Sequence, residues 1–394
     1  MFNPGWVDLQ VNGHNGTDYS DPALTAEKFI KSAEELIAAG TEIFLPTIIT
    51  GPLDKTCRNA SLIMEAVDKH DLSKHIPGIH FEGPFISPAS GAVGAHDPAC
   101  VCQPTRENID KLLNAIPGKV KIITLGADCE NAPEAVAYLR QNHVAVSVGH
   151  HMADYGQIRR AADAGAQLLT HLGNGCPNML DRHRNPGYAG LAEERLTAMI
   201  ITDGHHLPGE LVKIFIRAKG TDKIIVTSDA SSLTGFPPGE YETLGNRAVL
   251  YPDGKLFNPD KQCLVGSAST MSDCMKFLAS LDILTADELT RVGRENALEL
   301  LKSTEKESGT DKHPAEPAAG VLIKNHPQCN GQMVKTLYVR ISNGESSSSS
   351  LPSGNVSISP SRHSIRSVGH IFTGKGNFIS PPEKRPLVST IRMI

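Results

Sequence analysis

Short apolar runs alternate with longer stretches in which apolar residues recur every three or four positions, and the alternation persists from the first residues to about position 230. WVDLQVN (6–12) and TEIFLPTII (41–49) read as strands, each followed by an amphipathic helical stretch, near 25–39 and near 55–69. GIHFEGP (78–84), VKIITLGAD (120–128), HVAVSVGH (143–150), AQLLTHL (166–172), LTAMIITDG (196–204) and KIIVTSDA (223–230) continue the strand series. Helical patterns such as PEAVAYLRQ, YGQIRRAADAG and GELVKIFIRAKG lie between them. About eight β/α units in about 230 residues predict an α/β fold, a (β/α)8 TIM barrel. An open doubly wound sheet would carry a Gly-rich phosphate fingerprint after its first strand, and none is present.

Beyond the last barrel strand, NRAVLYP and KLFNP flank Asp253-Gly254 and predict a hairpin. Two helices follow, the second starting at a capping box formed by Thr285 and Glu288. The character changes near residue 303: KSTEKESGTDKHPAEPAAG is polar and Pro-rich, and Ser346 to Ser350 is a serine homopolymer. Residues 1–303 therefore read as the barrel, and 304–394 as a low-complexity Ser/Pro-rich tail, mostly disordered for want of apolar surface.

Composition narrows the function class. Over 394 residues, 40% hydrophobic and 21% charged content is ordinary for a soluble globular protein. A net charge of -5 does not point to nucleic acid or a membrane surface, since both favour basic patches. The N-terminal MFNPGWVDLQVNG lacks the basic start and apolar core of a signal peptide, and no stretch is apolar for long enough to span a bilayer. Eight cysteines without a CxxC pair read as free buried thiols. A cytoplasmic enzyme is the expectation.

The candidate chemistry sits at the strand ends. Glu82, His150, His171 and Asp229 each close a separate strand-like run, and the ends of barrel strands converge on one mouth. A single strand-end histidine is more often structural than a ligand. Two on successive strands, with carboxylates on others, point to one divalent metal held by Glu82, His150 and His171. Zn2+ suits these ligands best, with Fe2+, Co2+ or Mn2+ also compatible. Asp229 is the candidate proton shuttle, the alternative being a carboxylate that orients a ligating histidine. His96 and His206 could polarise a carbonyl or bind hydroxyls, and Arg184 could clamp an anion.

These motifs resemble the N-acetylglucosamine-6-phosphate deacetylases of the amidohydrolase superfamily. PGWVDLQVNG, HFEGPF with the later His96, VGH, THL, TDGHH, TSDA and VGSAST follow in that family's order, over about residues 4–303. Gln10 and Asn12 stand in place of the HxH pair of binuclear relatives, which argues for a single metal. The resemblance implies Glu82, His150 and His171 as ligands, Asp229 as acid/base, and His96, Asn174, Gly175, Arg184 and His206 as contacts to a small-molecule amino-sugar phosphate. It also implies a cytoplasmic homodimer that releases acetate from N-acetylglucosamine 6-phosphate. Three departures stand out: HLGNGCPNM replaces a loop close to HLFNAM, the family's flanking β-sandwich reads as largely missing, and the Ser-rich tail has no counterpart. Two rival readings are a mononuclear amidohydrolase or deaminase for another amide, and a non-catalytic descendant.

Overall fold

The computed structural model describes residues 5–305 and, further on, three strand segments: Val321–Pro327, Met333–Val339 and Ser389–Met393. Two compact units divide the chain after Lys306.

In the first unit β1 (Trp6–Val11) leads into a short hairpin, β2 (Gly13–His14) and β3 (Thr17–Asp18), then α1 (Ala26–Ala38). The β/α alternation follows: β4 (Thr41–Ile49), α2 (Leu53–Lys69), β5 (Ile79–Glu82), α3 (Arg106–Ala115), β6 (Val120–Leu125) and α4 (Ala132–Gln141). It continues with β7 (Ala145–Val148), α5 (Tyr155–Asp163), β8 (Leu168–Leu169), α6 (Pro186–Ala192), β9 (Thr197–Ile201), α7 (Gly209–Lys219) and β10 (Ile224–Thr227). Eight strands form one sheet in the order β1-β4-β5-β6-β7-β8-β9-β10, and its neighbouring strands run parallel. Residues along β6, β7 and β10 are buried on both faces, as a sheet wrapped by helices requires. The TIM barrel expected from the alternation is the fold.

The seam between β1 and β10 closes differently from the others. A single parallel bridge, Val11 to Ala230, joins them, with Asp229 N donating to Gln10 O at 3.0 Å and Asn12 N to Ala230 O at 2.7 Å. The buried Asp8 carboxylate accepts from the hydroxyls of Thr227 and Ser228 and from the Ser228 amide. This side-chain staple ties the strand end that carries Asp229 to the opposite edge of the sheet.

After the barrel, β11 (Gly239–Thr243), β12 (Asn246–Leu250), β13 (Leu256–Asn258) and β14 (Cys263–Leu264) form an antiparallel sheet in chain order. The hairpin predicted around Asp253-Gly254 is present, pairing Val249 with Phe257 and Leu250 with Leu256. α8 (Met271–Ser280), α9 (Ala286–Thr290) and α10 (Asn296–Lys302) follow. The capping box at Thr285 and Glu288 forms as expected, and a π-helical turn over Arg291–Glu295 joins α9 to α10.

The second unit contains β15 (Val321–Pro327), β16 (Met333–Val339) and β17 (Ser389–Met393), in a sheet of that order. Part of the stretch expected to be mostly disordered is thus paired β-structure. VLIKNHP and MVKTLYV contain the Val, Ile, Thr and Tyr that strands favour, a signal that the Ser/Pro-rich composition around them obscured. The rest of that expected tail lies outside the described residues.

Candidate metal centre and active site

The strand ends bring Glu82, His150 and His171 to one point. Glu82 Oε1 lies 2.8 Å from His171 Nε2 and 3.2 Å from His150 Nε2, and the two Nε2 atoms are 3.1 Å apart. All three residues are buried, and one ligand atom of each lies within 4.8 Å of the others. His150, His171 and Asp229 adopt positive φ (50°, 27° and 51°), a conformation costly for any residue with a Cβ and concentrated at functional sites. Each chain leaves its strand at that residue, so the side chain turns into the barrel mouth. Gly83 performs the same turn after Glu82: its φ is +88°, and a Cβ there would lie 2.2 Å from Thr50 Oγ1.

The donor set fits a divalent cation. His150 Nδ1 donates to the Ala92 carbonyl at 2.8 Å, which leaves Nε2 a lone pair in the neutral ring. That lone pair faces a carboxylate oxygen and a second imidazole nitrogen. With His171 Nδ1 left without a partner, His171 Nε2 is free to offer its lone pair as well, and three such atoms converging in a dry site suit a cation among them. Without the cation, burial alone would raise the Glu82 carboxyl, but protons carried by His150 and His171 would take the cation's place, and their hydrogen bonds and charge hold it well below the usual range. Gly175 lies against both rings, since a Cβ there would meet His150 Nδ1 and His171 Cε1 at 3.1 Å. Asn174 N donates to His171 O at 2.9 Å.

Asp229 is buried beside this cluster. Its Oδ1 accepts from Asn12 Nδ2 at 2.7 Å and from Gln10 Nε2 at 3.0 Å, and Gln10 Nε2 also donates to Glu82 Oε1 at 2.8 Å. The amide groups must present nitrogen to these carboxylates, because the reverse would set oxygen against oxygen. Burial, then the Glu82 charge, pushes the Asp229 carboxyl up to about 6. Oδ2 is the oxygen left without an amide donor. Gln10 and Asn12, conspicuous in the sequence only for not being ligands, are the donors that hold the aspartate.

His96 completes the wall. Its Nδ1 accepts from Thr50 N at 3.3 Å and lies 2.8 Å from Thr50 Oγ1, so the proton resides on Nε2, which points toward Glu82 Oε2 at 3.7 Å. Burial, then the nearby His150 charge, lowers His96 to about 3, so the ring is neutral. His206 is placed by Asp203, whose Oδ2 accepts from His206 Nδ1 at 2.8 Å and whose Oδ1 accepts from the amides of His205 and His206. Burial opposes ionisation of Asp203, but the charge and hydrogen bonds of His206 outweigh it and keep the carboxyl low. The sequence reading missed Asp203; its place three residues before His206, in TDGHH, was the available signal. Arg184 is not drawn into the cluster. It is exposed, and among the described residues its hydrogen-bond partner is Asp181, through the backbone.

No family model matches the sequence. Among curated relatives, the N-acetylglucosamine-6-phosphate deacetylase of Lysinibacillus sphaericus is 30% identical over 340 residues, covering 86% of this chain and 85% of that protein. The chain belongs to the N-acetylglucosamine-6-phosphate deacetylase family. An N-acetylgalactosamine-6-phosphate deacetylase of Escherichia coli O157:H7 is 28% identical over 288 residues, covering 72% of this chain and 74% of its own. A deacetylase mutant from Mycobacterium smegmatis, solved with N-acetyl-D-glucosamine-6-phosphate, superposes with a TM-score of 0.69 at 26% identity, covering 76% and 77%.

All seven cysteines among the described residues are free, but only Cys274 is buried, so the expectation of buried thiols holds for one of them. Among the described residues no helix is long and apolar enough to cross a membrane.

Proposed function

We propose that this chain is a mononuclear metal-dependent hydrolase that removes acetate from N-acetylglucosamine 6-phosphate, giving glucosamine 6-phosphate. The observation that carries the reading is the convergence of Glu82, His150 and His171 on one point beside Asp229, within a chain of this family. Glu82, His150 and His171 hold the cation, for which Zn2+ is the simplest choice. When bound, it supplies Lewis acidity, which polarises a carbonyl and lowers the pKa of water.

The protein's own groups perform the rest. Asp229 Oδ2 takes the proton of the attacking water as its oxygen bonds to the acetyl carbon. It then delivers that proton to the nitrogen as the C–N bond breaks. Gln10 and Asn12 keep Oδ1 occupied, so a single oxygen does both jobs. His96, with its proton on Nε2, donates to the oxygen that gains negative charge. His206, oriented by Asp203, and the Asn174–Gly175 backbone contact the sugar phosphate, and Arg184 binds its phosphate. Residues 1–303 form the catalytic domain and 304–394 a non-catalytic extension. The working form is a cytoplasmic homodimer.

A second reading keeps the metal and changes the amide. The exposed Arg184 and the HLGNGCPNM loop favour it, because they stand where the phosphate contact is expected. Acetate release from the phosphorylated and the unphosphorylated sugar separates the two. A strong preference for the phosphorylated sugar supports the first reading, and indifference to phosphate supports the second.

A further inference from the structure

The sheet β11–β14 has no part in the chemistry above, yet it reaches directly into the loop that carries His96. That loop lacks regular secondary structure, and its internal bonds are those of turns, Val93 N to Ala89 O and His96 N to Val93 O, each at 3.1 Å. Three hydrogen bonds from the sheet tie this loop to a second element. Ala95 O accepts from Asn246 Nδ2 at 2.8 Å and from Lys261 Nζ at 3.0 Å, and His96 O accepts from Lys261 Nζ at 3.3 Å.

The donors are themselves held in place. Asn246 is buried, its Nδ2 also donates to Leu244 O at 2.7 Å, and its Oδ1 accepts from Asn258 Nδ2 at 3.1 Å. Asn258, also buried, uses its own Oδ1 to accept from the amides of Asp260 and Lys261, folding the turn that presents the lysine. Packing agrees with the hydrogen bonds, since Ala95 sits against an apolar cluster of Ile49, Leu244 and Val265. The chain of contacts runs from Asn258 through Asn246 and Lys261 to the backbone of His96, whose ring meets Thr50 on its other side.

We propose that β11–β14 is a clamp that positions His96 for the acyl-transfer step, with Asn246 and Lys261 as positioning residues. The proposal rests on the reading of His96 as the donor to the developing oxyanion. Without the clamp, His96 keeps only its ring contact to Thr50 and the bond from its amide to Val93 O at 3.1 Å inside the same loop, and small displacements of a reacting group are costly.

The test is a double-mutant cycle on the full-length metal-loaded enzyme, using Lys261→Met, His96→Asn and their combination, with Asn246→Ala alongside. Lys261→Met, an exposed substitution, is expected to lower kcat on the order of tenfold. KM should move by no more than about twofold, with metal content and melting temperature unchanged. In the His96→Asn background, Lys261→Met should have no further effect, because the group it positions is gone. Lys261→Arg should recover part of the loss by keeping a donor. Equal losses with and without His96 would overturn the clamp while leaving His96 in its role. A silent His96→Asn would overturn that role and the clamp with it.

Discussion

Asp229→Asn separates stability from catalysis in one substitution. The carboxyl is buried and held at about 6 against an ordinary 3.8, so the folded protein pays to keep it ionised at neutral pH. The difference of about 2.2 pH units corresponds to at most about 3 kcal/mol in the metal-free protein. Because the folded value is the higher one, this penalty is complete above pH 6 and fades as the pH falls toward 4. An asparagine can direct its oxygen at Asn12 Nδ2 and Gln10 Nε2 and keep both hydrogen bonds. The metal-free variant should therefore melt at the same temperature as the parent or higher at pH 7.5. Turnover should fall in the opposite direction. Losing a general acid/base costs roughly 10²- to 10⁴-fold, equivalent to about 3 to 5 kcal/mol of barrier. The assay pairs acetate release with thermal melts and metal analysis of the loaded variant. Activity above a tenth of the parent's would remove Asp229 from proton transfer, and loss of metal would make it a ligand instead.

Three further outcomes follow from other sites. Gly175→Ala introduces a Cβ 3.1 Å from both histidine rings at a φ of +64°, so metal affinity should fall at least about tenfold, read by competition with a chelating dye. Asp18 is raised to about 6 by burial, despite accepting from the amides of Ser20 and Leu244. Its folded value is the higher, so it should lower stability as pH rises from about 4 to 6, by at most about 3 kcal/mol. That slope should be missing from urea melts of Asp18→Asn, and an unchanged slope would contradict the assignment. Burial, then the nearby Asp128 charge, pushes the Cys129 thiol up to about 12, so mass spectrometry should find it unalkylated after brief iodoacetamide treatment at pH 8.

The barrel was legible because its strands are buried on both faces and appear as uninterrupted apolar runs between amphipathic helices. β8 shows where this signal overreaches. AQLLTHL reads as a full strand, but pairing stops at Leu169, before His171 takes positive φ to aim its ring. β11 went unseen because GEYET is half exposed and lacks a continuous apolar face. The three candidate ligands and Asp229 were legible as polar residues at the ends of apolar strands, which is a local pattern. Their supports were not. Gln10 donates to Asp229 across 219 positions, and Lys261 reaches Ala95 across 166. Such contacts depend on chain closure rather than on neighbouring sequence. In the tail, serine and proline composition concealed two segments whose β-branched and aromatic residues favour strands.

The most direct test follows metal and turnover together through removal and reloading. Purified protein should carry one equivalent of divalent cation per chain, release no acetate once a chelator has stripped it, and recover when Zn2+ is returned. Glu82→Gln should fail to reload. A folded chain that releases acetate without metal, or that cannot be reloaded while Glu82, His150 and His171 are intact, would contradict the account.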